Sequence, residues 1–472
     1  MSLISRVSFV LALAVLAPAA ARAQEHRHPA PADTARAPAD SARAPEDAAH
    51  GAPDAGLRAM APAPLEIPRT REGSGTAWLP DDSPMYAFHR MAGDWELMLH
   101  GVGSLHWIDE GGDRGEEGLD ATNWIMAMAR RPAVGGTLML RAMASLDPLT
   151  AGACGYPNLL ASGETCDGEP LVDRQHPHDL LMEVAADYER AIGEDLAVQL
   201  YGALAGEPAL GPVAFPHRIS ALANPLAPIG HHWLDSTHIA FGVATAGVYG
   251  RRWKLEGSAF NGREPDEERY DLDLGALDSW SARLWWLPTD RWALQVSHGR
   301  LNEAEVAHDD GGRIDVTRTT ASATYHLPLA HEGHWATTAA WGRNEEEGHA
   351  TDAFLVETNV NLSQSDILFG RFEVVEKTGA DLQVSSPAPI DLGGTEEETL
   401  TVSKLVAGYL RQLPSLNGLV PGIGVGLSVG LLPDELESDY GTTSPVGLLV
   451  FARIRPAPTP AAHGGHRDHG GR

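Results

Sequence analysis

From about residue 93 to 455 the chain repeats one pattern: segments of about ten residues whose side chains alternate in character, separated by connections that are alternately short and long. A period of two marks a strand whose two faces meet different surroundings. In 290–300, Trp292, Leu294 and Val296 fall on one face while Gln295 and Ser297 fall on the other. In 180–190 the apolar set is Met182, Val184, Ala186 and Tyr188, opposite Glu183, Asp187 and Glu189. Carboxylates at that spacing are intolerable against hydrocarbon, so their face is expected to meet a wet or paired interior. Beyond the N-terminal start no apolar stretch approaches the roughly 18 residues that a membrane-spanning helix needs.

The pattern predicts strands at 93–107, 119–131, 135–146, 180–190, 195–205, 238–249, 251–261, 278–288, 290–300, 316–327, 334–343, 352–362, 366–377, 400–412, 417–431 and 445–455. Short connections include 131–134, 190–194, 249–251, 287–290, 363–365 and 414–418; long ones cover 147–179, 206–237, 262–277, 301–315, 378–399 and 432–444. An even strand count with short turns at one end and long loops at the other is the plan of a bacterial outer-membrane barrel, which returns both termini to the periplasm. Trp253, Trp280, Trp286, Trp292, Trp335 and Trp341 fall near strand ends, where an indole keeps its ring apolar and its N–H hydrated. The predicted fold class is all-β: a closed antiparallel transmembrane β-barrel of about 16 strands with short periplasmic turns and long extracellular loops. Loop lengths disfavour the alternative, a large soluble sandwich or propeller.

The flanks differ in composition. Arg6, the apolar run 7–16, Pro18 and the triplet Ala21-Arg22-Ala23 form a secretory signal peptide over 1–23, with cleavage expected before Gln24. Residues 24–75 are dominated by Ala, Pro, Asp and Arg and are expected to be a disordered leader; 76–456 is the barrel, and 457–472 a His- and Gly-rich disordered tail. His26 and His28 near the mature start, and His463, His466 and His469 in the tail, would hang in the periplasm as solubilising or weakly metal-binding tracts. The last strand ends in Gly447-Leu448-Leu449-Val450-Phe451, which loosely resembles the terminal strand read by barrel assembly machinery. Outer-membrane lipid is the other expected partner. A net charge of −29 excludes nucleic acid as a partner, because phosphate recognition needs a basic surface. The two cysteines of this exported chain, Cys154 and Cys166, are expected to close one loop as a disulfide.

Two long loops hold an unusual share of the histidines. One contains Asp173-Arg174-Gln175-His176-Pro177-His178-Asp179; the other contains Pro216-His217-Arg218 and Gly230-His231-His232-Trp233-Leu234-Asp235-Ser236-Thr237-His238. Imidazole with carboxylate suits Cu(II), Zn(II) or Ni(II). His176, His178, His217, His231, His232 and His238, with Asp179 and Asp235, are therefore the candidate ligands for copper or zinc. In the alternative reading these loops fold inward and constrict a pore by hydrogen bonds and ion pairs, with Asp173 and Arg174 as pairing residues in either case. Ser236 and His238 lie two apart, but nothing resembles a nucleophile elbow, so catalysis is not expected and an outer-membrane hydrolase is kept only as a third reading. Carboxylates crowd other long loops, at Glu264, Asp266, Glu267, Glu268, Asp271 and Asp273, at Glu345 to Glu347 and at Glu396 to Glu398, and such a mouth favours cations.

Phe88-His89-Arg90-Met91-Ala92-Gly93-Asp94-Trp95, the two His-bearing runs and Asn261-Gly262-Arg263-Glu264-Pro265-Asp266 resemble a family of uncharacterised bacterial outer-membrane, porin-like β-barrel proteins. The resemblance runs from about residue 85 to 455. Members are often encoded beside copper and heavy-metal resistance systems, so the resemblance implies a barrel and some handling of metal, without an activity to carry over. The leading expectation is porin-like passage of small hydrophilic solutes or metal cations; the second is a copper- or zinc-binding barrel.

Overall fold

A computed structural model describes residues 63–306, 312–384 and 399–459. The signal peptide, the leader up to residue 62, the His-bearing tracts at both ends and Glu396 to Glu398 lie outside the described residues. The strands are β1 Phe88–Ala92, β2 Trp95–Asp109, β3 Glu117–Ala133, β4 Gly136–Ala144, β5 Tyr156–Cys166, β6 Glu169–Gln175, β7 Leu181–Ala191, β8 Ala197–Gly206, β9 Ala240–Tyr249 and β10 Trp253–Phe260. They continue as β11 Ser279–Trp286, β12 Trp292–Val306, β13 Arg313–Pro328, β14 His334–Glu346, β15 His349–Asn361, β16 Asp366–Thr378, β17 Thr399–Gln412, β18 Leu419–Leu431 and β19 Val446–Pro456.

Sixteen of them, β2 to β4 and β7 to β19, pair antiparallel with their chain neighbours, and β19 closes the ring on β2 with Leu448 opposite Asp109 and Ile454 opposite Gly103. The remaining half of β2 pairs with β1, Phe88 opposite Leu99, so β1 fills the seam below β19. Each predicted strand overlaps one of the sixteen. Closure leaves no edge of unpaired backbone, which is the condition for strands to cross hydrocarbon.

The alternation read from the sequence is the alternation of the wall. In β11, Ser279, Ser281, Arg283 and Trp285 point inward and are buried, while Trp280, Leu284 and Trp286 are about half exposed on the outside. In β19 the outward set is Leu448, Val450 and Ile454, and the inward set Leu449, Phe451, Arg453 and Arg455. Trp253, Trp286, Trp292 and Trp335 lie at the short-turn end and Trp280 at the long-loop end, whereas Trp341 falls mid-strand because β14 runs on to Glu346.

Three departures have local causes. Met182 was expected outward with Val184, yet it is buried beside Glu183, because register shifts on both sides of β7 put two consecutive side chains inside. The strict short–long alternation fails between β14 and β15, which run on past the predicted ends and close through Glu347 and Gly348 alone, both at positive φ. The third concerns the leader: from Leu65 onward the chain is not free but packs inside the short-turn end of the barrel. There Leu65, Ala77, Trp78 and Leu79 join a core with Tyr249, Trp285, Leu287 and Ala293 from the wall.

Candidate functional site in the filled lumen

Among the described residues, three segments occupy the interior. The first is residues 63–87. Arg71 grips Asp81 through Nε at 2.6 Å and Nη2 at 2.8 Å, lies over the Trp78 ring, and donates to the carbonyl of Arg251 at 2.7 Å. Glu72 accepts from Arg130 at 2.5 Å and from Arg69 at 3.0 Å. Burial alone would raise the Glu72 carboxyl, but these two guanidinium groups override it and hold it down at about 2.

The second segment is the loop between β4 and β7, which the sequence leaves unstructured and which folds as the hairpin β5–β6. A disulfide joins Cys154 to Cys166. Asp173 and Arg174 do not pair with each other. Asp173 accepts from the Leu160 backbone at 2.7 Å and from the Tyr440 hydroxyl at 3.2 Å and meets Arg114 at 2.8 Å; Arg174 donates to the carbonyls of Cys154 and Gly155 and to Glu116.

The third segment, 207–239, descends from the long-loop end until the Ala214 N–H reaches the Ser74 hydroxyl at 2.9 Å. Arg218, fully buried, donates to Asp235 at 2.9 Å and to Glu357 on β15. Asp235 also accepts from the Phe215 N–H at 2.8 Å and lies 2.8 Å from His231 Nδ1. Although burial opposes its charge, Arg218 holds the Asp235 carboxyl well below the usual range. Both its oxygens are thus committed to fastening the loop, which makes Asp235 an anchor rather than a free ligand.

The two His-bearing loops converge. The His176 ring lies 5.8 Å from His231 and 5.6 Å from His232, and the His238 ring 5.1 Å from His231 and 5.3 Å from His178, with Phe215 packed among them. His178 Nδ1 meets Asp147 at 2.7 Å and His176 Nδ1 meets Glu164 at 3.2 Å. Burial pushes His176, His231 and His238 down, so they stay neutral at pH 7. Burial works against charge at His232 too, but the Glu264 carboxylate 2.8 Å from its Nδ1 reverses the direction and raises it. Asp179, buried beside Arg269 at 3.7 Å, is pushed up to about 7 by burial. His217 stands apart, its ring tilted against Trp124 at 4.6 Å and 5.7 Å from His100.

Among the described residues three groups of three side chains bring donor atoms within 4.8 Å of one another: Cys154, Cys166 and Asp167; Asp266, Asp271 and Asp273; and His232, Glu264 and Glu305. The first has its sulphurs in the disulfide, and the second is a largely exposed acidic loop. None joins two of the predicted histidines. The third combines one of them with Glu264, singled out in the sequence as loop charge and within the run Asn261–Asp266 but not as a ligand, and with Glu305 on β12, which nothing in the sequence marked. His232 Nε2 and Glu305 Oε1 are buried without a hydrogen bond. Gly163 makes room for this imidazole: its φ is +118°, and a Cβ there would collide with His232 Nε2.

Above the triad opens a vestibule of about 520 Å³ lined by Glu164, Glu169, Glu264, Glu267, Glu268 and Glu305. Below the imidazoles a second cavity of about 170 Å³ runs down the β2–β3 wall, from His176 and His178 past His217 and His100 to Met85, Tyr86 and Arg455. Many inward charges neutralise one another, as in Lys254–Glu256 at 3.3 Å, Arg283–Glu256 at 2.9 Å, Arg371–Glu373 at 2.9 Å and Lys404–Glu110 at 2.6 Å, whereas Arg453 and Arg455 bond to the Leu222 carbonyl and Gln412. Ser236 accepts from Arg318 at 2.8 Å, and His238 directs Nδ1 to the Asp235 carbonyl while its Nε2 has no partner, so the two do not form a nucleophile–base pair.

These registers define a closed transmembrane β-barrel with an occupied lumen. No family model matches the chain, and no curated protein does. The chain is similar to several solved structures. The anion-selective porin from Comamonas acidovorans is 8% identical, with 76% of this chain and 99% of that one covered at a TM-score of 0.45. Salmonella typhi OmpF in complex with daunomycin is 10% identical, with 78% and 100% covered at 0.45, and Pseudomonas putida OprB 10% identical, with 77% and 94% covered at 0.46. The barrel assignment rests on the strand registers, not on these likenesses.

Proposed function

We propose that the protein is a porin-like outer-membrane channel of small bore that favours cations, metal ions among them. The observation that carries this reading is a succession across the lumen: an acidic vestibule against β12 and β13, a cluster of buried imidazoles, then the cavity beside β2 and β3. A cation entering the vestibule exchanges water for carboxylate oxygen, then passes Arg141, which Glu183 neutralises at 3.1 Å, and at the far end of the cavity Arg453 and Arg455, which bond to Gln412 and the Leu222 carbonyl. Because three inner segments fill the rest of the cross-section, the bore is far narrower than an open barrel of this strand number provides. Reconstitution of the full chain in planar bilayers tests this. Small ohmic steps in KCl with a reversal potential displaced toward cations are expected; absence of steps, or anion preference, overturns the reading.

A divalent-ion station within that path is the second reading, supported by His232, Glu264 and Glu305. One imidazole and two carboxylates are a donor set that suits Zn(II) or Cu(II), and His232 Nε2, free of hydrogen bonds, would become a donor once the metal displaces its proton. Calorimetric titration with Zn(II) of the wild type and of Glu264→Gln tests it, and equal affinity for both removes the site.

A further inference from the structure

Methionine is distributed unevenly in this chain. Ten are present, and none follows Met182 in 472 residues. Six of them, Met98, Met126, Met128, Met139, Met143 and Met182, gather on the inner face of β2, β3, β4 and β7. The registers make the arrangement specific: Met98 is opposite Met128, His100 is opposite Met126, and Met126 is in turn opposite Met143. Directly opposed side chains on one face have Cβ atoms about 4.5–5.5 Å apart. Met126 therefore has an imidazole on one side and a thioether on the other.

A second imidazole comes from the inner loop, since the His217 ring lies 5.7 Å from that of His100. Met98, His100, Met126, Met128 and His217 line the same cavity. His100 Nε2 is buried and makes no hydrogen bond, so its lone pair or proton is unspent. Burial pushes His217 well down and keeps it neutral, as ligation requires. Filling space does not demand sulphur here. Around β10 to β12 the wall meets its plug with Ser258, Ser281, Arg283, Gln295 and Ser297, and near the hairpin with Leu, Ile and Val.

Thioether with neutral imidazole is a soft donor set, poorly matched to Mg(II) or Ca(II) and well matched to Cu(I) and its redox-inert analogue Ag(I). We propose that this wall is a binding site for a soft monovalent metal ion, with donors drawn from Met98, His100, Met126, Met128 and His217. The site is distinct from the carboxylate-bearing triad at His232 in place and in chemistry. It is an equilibrium property of the barrel and does not depend on ions crossing it.

The test uses the full chain in detergent, chloride-free, with Ag(I) as the probe. Calorimetry is expected to show saturable uptake, and X-ray absorption to show sulphur around the ion. Changing Met98, Met126 and Met128 together to Leu conserves volume and so keeps packing cost small; uptake should weaken by about tenfold or more, one decade being about 1.4 kcal/mol. The overturning results are no saturable uptake by the wild type, only nitrogen and oxygen around the ion, or unchanged affinity in the triple variant. Should that variant not fold, His100→Gln with His217→Gln replaces it; weaker uptake then supports the site and unchanged uptake refutes it. Conductance measured on the same preparations separates this outcome from that of the channel reading.

Discussion

Arg218 shows how single residues hold the lumen closed. A guanidinium with no exposed surface is tolerable only when paired, and its partners come from two places, Asp235 on its own loop and Glu357 on the wall. Removing it leaves two carboxylates buried without their cation, a change that costs about 3–5 kcal/mol in comparable sites. Arg218→Ala is thus expected to detach 207–239 while the wall persists. Hydrogen exchange should rise across those residues alone, and uniform protection would refute the anchor. Glu72 makes the same point with a pH handle. Its carboxyl lies at about 2 instead of the ordinary 4.5, so the unfolded segment takes up a proton before the docked one does. Docking of the inner N-terminal segment is complete above about 4.5 and is lost progressively as pH falls toward 2. In Glu72→Gln, that acid-induced release should vanish from a proteolysis profile taken between those limits.

Elements divide sharply in how legible they were. All sixteen wall strands are readable because hydrocarbon on one side and packed polar groups on the other impose a period of two on every segment. The exceptions are where a bulge breaks the period, at Met182, or where strands outrun the membrane, at the turn Glu347-Gly348. Hairpin β5–β6 had no such imprint: both its faces touch protein, so Leu159, Leu160 and Ala161 are consecutive buried residues without alternation. The inner N-terminal segment was hidden for a related reason. Its fastenings are ion pairs to residues far along the chain, such as Arg130 and Arg251, and composition carries no trace of them. Histidines in the two loops could be named in advance, and their approach follows from ring closure; that Glu264 and Glu305 face His232 could not, since they lie on a different loop and on a strand of the wall. The disulfide fixes the hairpin that carries Gly163 against this imidazole. Closing so short a loop stabilises by about 3 kcal/mol in the chain-entropy account. Changing Cys154 and Cys166 to Ala should expose 154–175 to protease without altering strand content by circular dichroism, and equal resistance would mean that Asp173 and Arg174 suffice to pin it.

At the scale of the molecule, the decisive quantity is how much of the ring's cross-section stays open. A ring of sixteen strands encloses a water-filled passage when its loops stay out. Here the loop from the long-loop end and the segment at the short-turn end meet through Ala214 and Ser74, and apolar clusters form between them and the wall. Such clusters do not assemble around a wide aqueous pore, because their burial is what excludes water. The inner part of the proposed route is therefore confined to one flank, along β2 and β3. A deletion and a substitution discriminate between a flank route and a central one. Replacing 209–237 by a short Gly-Ser linker removes the plug from the outer side, and bilayer conductance should rise several-fold while cation preference declines, since the vestibule carboxylates then face a wide opening. Filling the flank instead, by Val102→Trp beside Trp124, leaves the central plug intact and should abolish the small wild-type steps. If Val102→Trp conducts as the wild type does, ions do not follow this wall, and the vestibule must drain elsewhere.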